Sequence, residues 1–135
     1  MNIKSEQAML EYGRDFAGKI KVPAVIELVG DVGVGKTTFV RGLAEGLDIE
    51  EPVTSPSFTI SKVYALKNGG NLIHYDFYRL NDPGLMVNDL LEKLSNDKNI
   101  VVIEWADSVK ELLPSKHLTI SFAYDEAGGR MVDVI

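Results

Sequence analysis

The chain contains no cysteine in 135 residues. That absence excludes a disulfide framework, a thiolate zinc site and a cysteine nucleophile, and it suits a reducing compartment. Positive charge is also scarce: 20 acidic residues outweigh 14 basic ones, the formal charge is −6, and no Lys/Arg block occurs. An extensive phosphate-backbone interface is therefore not expected, and any link to nucleic acid should run through a partner or a small patch. No apolar run approaches a membrane span, and the opening MNIKSEQAMLEYGRDF carries charges where a secretory signal needs an apolar core. The expectation is a cytoplasmic protein with no membrane contact. No internal repeat and no low-complexity tract is found.

Hydrophobic residues make up 45% of the chain, and a chain of this length buries roughly two thirds of its unfolded surface. One domain spanning residues 1–135 is the expected organisation.

Met9, Tyr12, Phe16 and Ile20 recur three or four residues apart, with Ser5 placed to cap, which predicts an amphipathic helix over 5–20. Ala24 to Val29 reads as a strand buried on both faces, followed by a helix from about Lys36 to Leu47. Residues 50–57, which include EPVTSPS, carry two prolines and read as an extended loop. Phe58 to Leu66 and Leu72 to Tyr78 flank Lys67-Asn68-Gly69-Gly70-Asn71 as a hairpin. Asn81-Asp82-Pro83 should cap a helix reaching Leu94. Ile100 to Ile103 is an apolar strand ending at Glu104, and Ser108 with Glu111 forms the pattern of a capping box on a short helix stopped by Pro114. A last hairpin, Leu118 to Tyr124 and Met131 to Ile135, turns at Gly128-Gly129. The alternation predicts an α/β fold: a mostly parallel central sheet with antiparallel edge hairpins and flanking helices.

Between the first buried strand and its helix lies Gly30-Asp31-Val32-Gly33-Val34-Gly35-Lys36-Thr37, a match to G-x-x-x-x-G-K-[ST] at every fixed position. Glycines let backbone N–H groups converge on a polyphosphate, and the helix start adds its positive end. Lys36 should reach the β- and γ-phosphates, and the Thr37 hydroxyl should ligate Mg²⁺. Thr38 is either a donor to the α-phosphate or an ordinary helix-start threonine.

The guanine-reading N-K-x-D is absent, and the D-x-x-G matches at Asp15 and Asp125 lie outside the region a GTPase uses. A small-molecule kinase would need an acceptor pocket and an Arg-rich lid, which the remaining chain has little room for, although loop 50–57 could take a small acceptor. A second Mg²⁺ ligand calls for an apolar strand ending in a carboxylate. Glu104 ends the cleaner such strand, and Asp76 ends a more polar one, where it could order water or sense the γ-phosphate. Arg79 is the nearest cation for phosphate charge, or else part of a structural ion pair. His74 has no clustered second ligand and reads as a packed or surface histidine. Trp105 is either a core aromatic or a platform beside nucleotide or partner.

Together with the P-loop, the segments Thr54-Ser55-Pro56-Ser57-Phe58-Thr59, His74-Tyr75-Asp76-Phe77-Tyr78-Arg79-Leu80 and Ile103-Glu104-Trp105 give a sequence that resembles the bacterial TsaE (YjeE) ATPases. The resemblance implies a P-loop NTPase fold and a small ATPase, using ATP and Mg²⁺, in threonylcarbamoyl-adenosine modification of tRNA. It implies as partner a two-protein threonylcarbamoyl transferase of TsaB and TsaD type, whose turnover ATP hydrolysis supports while the partner handles tRNA. Lys36 and Thr37 match the family's phosphate and Mg²⁺ residues, Glu104 the acidic residue near Mg²⁺, and Asp76 that of H-x-D-x-Y-R-L. Ser55 to Ser57 match a switch-like loop near the γ-phosphate, with Ser57 replacing the usual threonine and keeping its hydroxyl. Met9 stands near a position where the family tends to have threonine, and Gly84-Leu85-Met86-Val87-Asn88-Asp89 replaces a stretch that tends to be more acidic.

Overall fold

The computed structural model describes residues 1–56, 60–78 and 84–135. Seven strands form one mixed sheet: β1 (Asn2–Ile3), β2 (Ala24–Val29), β3 (Ser61–Ala65), β4 (Asn71–Asp76), β5 (Ile100–Glu104), β6 (Leu118–Tyr124) and β7 (Arg130–Val134), in the order β1-β7-β6-β2-β5-β4-β3. Its helices are α1 (Glu6–Ala17), α2 (Lys36–Gly46) and α3 (Leu85–Leu94). The antiparallel hairpins β6–β7 and β3–β4 lie toward the edges as expected, β1 adds a further antiparallel pair with β7, and β4 and β5 run parallel. The chain packs as two compact units, one of residues 1–20, 28–54 and 119–135, the other of residues 21–27 and 55–118.

In the first unit, Ser5 caps α1 as its sequence predicts: its backbone is extended and its Oγ accepts from the Ala8 N–H at 3.0 Å. The helix stops at Ala17, three residues short of the expected end, with Gly18 as its C-cap. Met9, Gly13 and Ala17 line one buried stripe, four residues apart. Small residues there let α1 and α2 touch backbone to backbone: a Cβ on Gly13 would stand 2.4 Å from the Phe39 carbonyl, and one on Gly42 2.2 Å from that of Leu10. Around this contact Tyr12, Phe16 and Phe122 surround Phe39, with ring centroids 5.6 to 5.8 Å from it. Such tilted and edge-on aromatic contacts add about 0.5–1.5 kcal/mol each to the area they bury.

Strand β1 was not expected. Two residues show no periodicity, and the strand exists through long-range pairing of Asn2 with Met131 and Ile3 with Arg130.

In the second unit the β3–β4 hairpin pairs Ser61 with Tyr75 and Ala65 with Asn71, and Asn68 Oδ1 accepts from Gly70 N at 2.7 Å across the turn. The expected start of β3 at Phe58 lies outside the described residues, as does the Asn81-Asp82-Pro83 cap; described α3 begins after Gly84. Ile73, Tyr75 and Phe77 with Val101 and Ile103 form one apolar face, packed on Leu90 of α3 and on Ala106 and Val109. Buried Asn99 closes the lower end, donating to the Lys93 carbonyl at 2.9 Å and accepting from Asn71 N at 2.9 Å.

The capping-box reading of Ser108 and Glu111 is corrected. No α-helix forms there; two single 3-10 turns, Ala106–Ser108 and Lys110–Leu112, replace it, and Ser108 lies inside the first. Between them Val109 leaves helical geometry at φ −126 so that its side chain can be buried. Too few residues remain before Pro114 to repay helix nucleation.

Tyr75 ties the sheet to α3 by donating its Oη to Asp89 at 2.5 Å. Burial, and then the bonded Asp89 carboxylate, push its phenol far above the usual tyrosine range. The folded state thus favours the protonated phenol, so its contribution is complete below about pH 10 and is lost as pH rises past that value. Tyr75→Phe is expected to lower stability by about 1–2 kcal/mol at neutral pH. It should also flatten the alkaline fall in the urea midpoint, and an unchanged alkaline slope would refute the assignment.

Candidate phosphate-binding site

β2 ends at Val29 and α2 begins at Lys36, so Gly30 to Gly35 span a strand-to-helix turn in the first unit. A hydrogen bond from Val34 N to the Asp31 carbonyl, 3.2 Å, closes the turn. Gly33 at φ 83 and Gly35 at φ 116 take left-handed conformations that a side chain would strain. Gly35 is the N-cap of α2 and offers no side-chain acceptor, and the first helical turn carries no acidic residue. The start of this helix therefore presents backbone N–H groups and the positive end of its dipole with no acidic side chain in its own first turn.

The predicted residues divide by role. Gly33, Asp31 and Val32 are exposed, Gly30, Gly35, Thr37 and Thr38 are half-buried, and Val34 is fully buried, so its side chain anchors the loop. Lys36 is 5% exposed; it folds back over the loop, its Nζ donating to the Gly30 carbonyl. Beside the loop opens a cavity of about 380 Å³, lined among others by Lys4, Ser5, Met9, Gly35, Thr38 and Arg130. Its far wall comes from the start of α1 and the β6–β7 turn, which no local pattern in the sequence connects to the loop. There the Arg130 guanidinium lies 4.4 Å from the centre of the Tyr124 ring.

In the second unit, parallel register pairs Asp76 with Glu104 at the carboxyl ends of β4 and β5. Both are buried, at 7% and 4% exposure. Since side chains alternate, His74, Asp76 and Glu104 share the face opposite Ile73, Tyr75, Val101 and Ile103. Asp76 Oδ1 accepts from Tyr78 N at 2.9 Å, and Asp76 N donates to the Ile60 carbonyl at 2.8 Å. Ile60 itself holds a left-handed φ of 68 and donates to the Pro56 carbonyl at 2.7 Å, so Pro56 is linked through Ile60 to the backbone of Asp76.

His74 proves to be a packed histidine, and its partner was not anticipated: its Nε2 lies 2.5 Å from Glu104 Oε2. Trp105 is half-buried in a left-handed conformation, φ 57, with its ring 4.7 Å from that of Tyr78, and so is not a core aromatic. Ser57 and Arg79 lie outside the described residues. Among the described residues no three His or acidic side chains gather as a self-sufficient metal cage. The carboxylates at the ends of β4 and β5 are hard oxygen donors of the kind a small divalent cation takes.

The fold is a mixed α/β sheet in which a glycine loop matching G-x-x-x-x-G-K-[ST] joins a buried strand to a helix. Residues 3–132 match the family model described as threonylcarbamoyl adenosine biosynthesis protein TsaE. The TsaE of Streptomyces coelicolor is 36% identical over 128 residues, covering 94% of this chain and 85% of its relative. That of Treponema pallidum is 34% identical over 131 residues, covering 97% and 96%. The crystal structure of Bacillus subtilis YdiB superposes with a TM-score of 0.75 at 32% identity, over 95% of this chain and 78% of that one. The chain belongs to the TsaE family of threonylcarbamoyl adenosine biosynthesis proteins. No helix among the described residues is long and apolar enough to cross a membrane.

Proposed function

We propose that this chain is a Mg²⁺-dependent ATPase of the cytoplasm. It serves tRNA threonylcarbamoyl-adenosine biosynthesis as an accessory to a two-protein transferase of TsaB and TsaD type. The observation that carries the nucleotide reading is the loop 30–37, which opens α2 on two left-handed glycines with Lys36 folded over it. Family membership supports the pathway, and the acidic charge of −6 supports a tRNA held by the partner.

Backbone N–H groups of Gly30 to Thr38, including Asp31, Val32 and Val34, would bind the phosphates, and Lys36 would neutralise their outer oxygens. The neighbouring cavity, about 380 Å³, has room for a base and ribose, with Thr38 at its edge. Thr37 and Glu104 are the metal-side residues; Mg²⁺ when bound supplies charge neutralisation to the phosphoryl group. Asp76 and Ser57 are the residues that orient attacking water, and a buried Asp76 bonded to backbone is held in a fixed place for that task. Chemistry of this kind depends on positioned charge, so turnover by the chain alone is slow and completes when a partner orders the site.

ATP labelled at the γ-phosphate tests the reaction class. Label should leave as free phosphate, whereas label on an acceptor molecule would make the protein a kinase and overturn the proposal.

A further inference from the structure

His74 is a buried polar group that the phosphate chemistry above does not use. It is 0% exposed, its Nε2 is 2.5 Å from Glu104 Oε2, and its Nδ1 is buried without a hydrogen-bond partner. A carboxylate only accepts, so the proton between the two belongs to Nε2. The other tautomer would bury an N–H at Nδ1 with nothing to receive it, the costlier of the two ways to leave that atom unpaired. Parallel register makes the contact: His74 stands opposite Val102, two residues before Glu104 and on the same face.

The last torsion of a glutamate is broad and roughly two-fold, so backbone placement alone does not fix where its oxygens point. A buried donor on a rigid strand does fix it. We propose that His74 is a positioning residue for Glu104, its Nε2–H holding one carboxylate oxygen so that the group meets a divalent cation in a single orientation. This deepens the metal role given to Glu104 above and rests on it.

The test compares His74→Phe, His74→Gln and Glu104→Gln in the full chain loaded with ADP, with Mn²⁺ titrated and followed by electron paramagnetic resonance. Partners of metal-side carboxylates are worth about 10–100-fold in metal affinity, so His74→Phe should weaken Mn²⁺ by about tenfold or more. ADP affinity in chelator should be unchanged. Gln carries an N–H where the imidazole has Nε2, and His74→Gln should recover Mn²⁺ affinity to within about threefold of the unsubstituted chain. Unchanged Mn²⁺ affinity in His74→Phe, or no recovery in His74→Gln, overturns the positioning role. If Glu104→Gln weakens Mn²⁺ while His74→Phe does not, only the positioning role falls. If neither does, the metal role of Glu104 falls with it. Nitrogen-15 spectra of the unsubstituted chain give an independent check: Nε2 protonated and Nδ1 bare is expected, and a protonated Nδ1 with bare Nε2 overturns the inference.

Discussion

Lys36→Ala is expected to reduce ATP turnover by roughly 10²–10³-fold, the loss typical of removing one preorganised charged donor from a developing phosphate charge. The side chain is nearly buried and already rests on the Gly30 carbonyl within the loop, so little ordering remains to be done when phosphate arrives. Nucleotide affinity should fall as well, because the ammonium meets ground-state phosphate oxygens too. Lys36→Met keeps the apolar stem and separates loss of charge from loss of packing. Equal defects in both variants, with unchanged thermal unfolding, locate the effect in the charge. Full activity in either would remove Lys36 from the site.

Glu104→Gln should have the second largest effect, with nucleotide retained within a few-fold and Mg²⁺-dependent turnover reduced by about 10²-fold. The substitution keeps the volume at a position 4% exposed, and the amide oxygen still accepts from His74, so the fold is preserved. What is lost is one negative charge at the end of β5. Asp76, its register neighbour on β4, does not compensate, because one of its oxygens is committed to Tyr78 N. Hydrolysis measured across a Mg²⁺ series decides this: turnover rescued fully by higher Mg²⁺ indicates weakened metal binding alone, and an unaltered profile contradicts the role.

How far the sequence carried the reading depended on whether a signal was local. The loop from Gly30 to Thr37 is a contiguous pattern flanked by its own strand and helix, and it folds as read. Ser5 as a cap, the apolar strands β2 and β5, and the Gly128-Gly129 turn are local in the same sense. The contact between His74 and Glu104 was not legible, since His74 lies 30 residues away and meets it only through parallel register. Likewise Arg130 and the start of α1 reach the glycine loop through a sheet edge whose first strand is two residues long. The Ser108 and Glu111 pattern misled because capping chemistry was present without the length a helix needs, and burial of Val109 decided the backbone instead. Family resemblance carried what spacing alone did not, above all the pathway.

The most direct test is ATP hydrolysis by the chain alone and in the presence of the two-protein transferase complex. Slow release of phosphate alone, rising at least tenfold with the complex and vanishing in Lys36→Ala, is the result this account predicts. A rate that the complex leaves unchanged would contradict it.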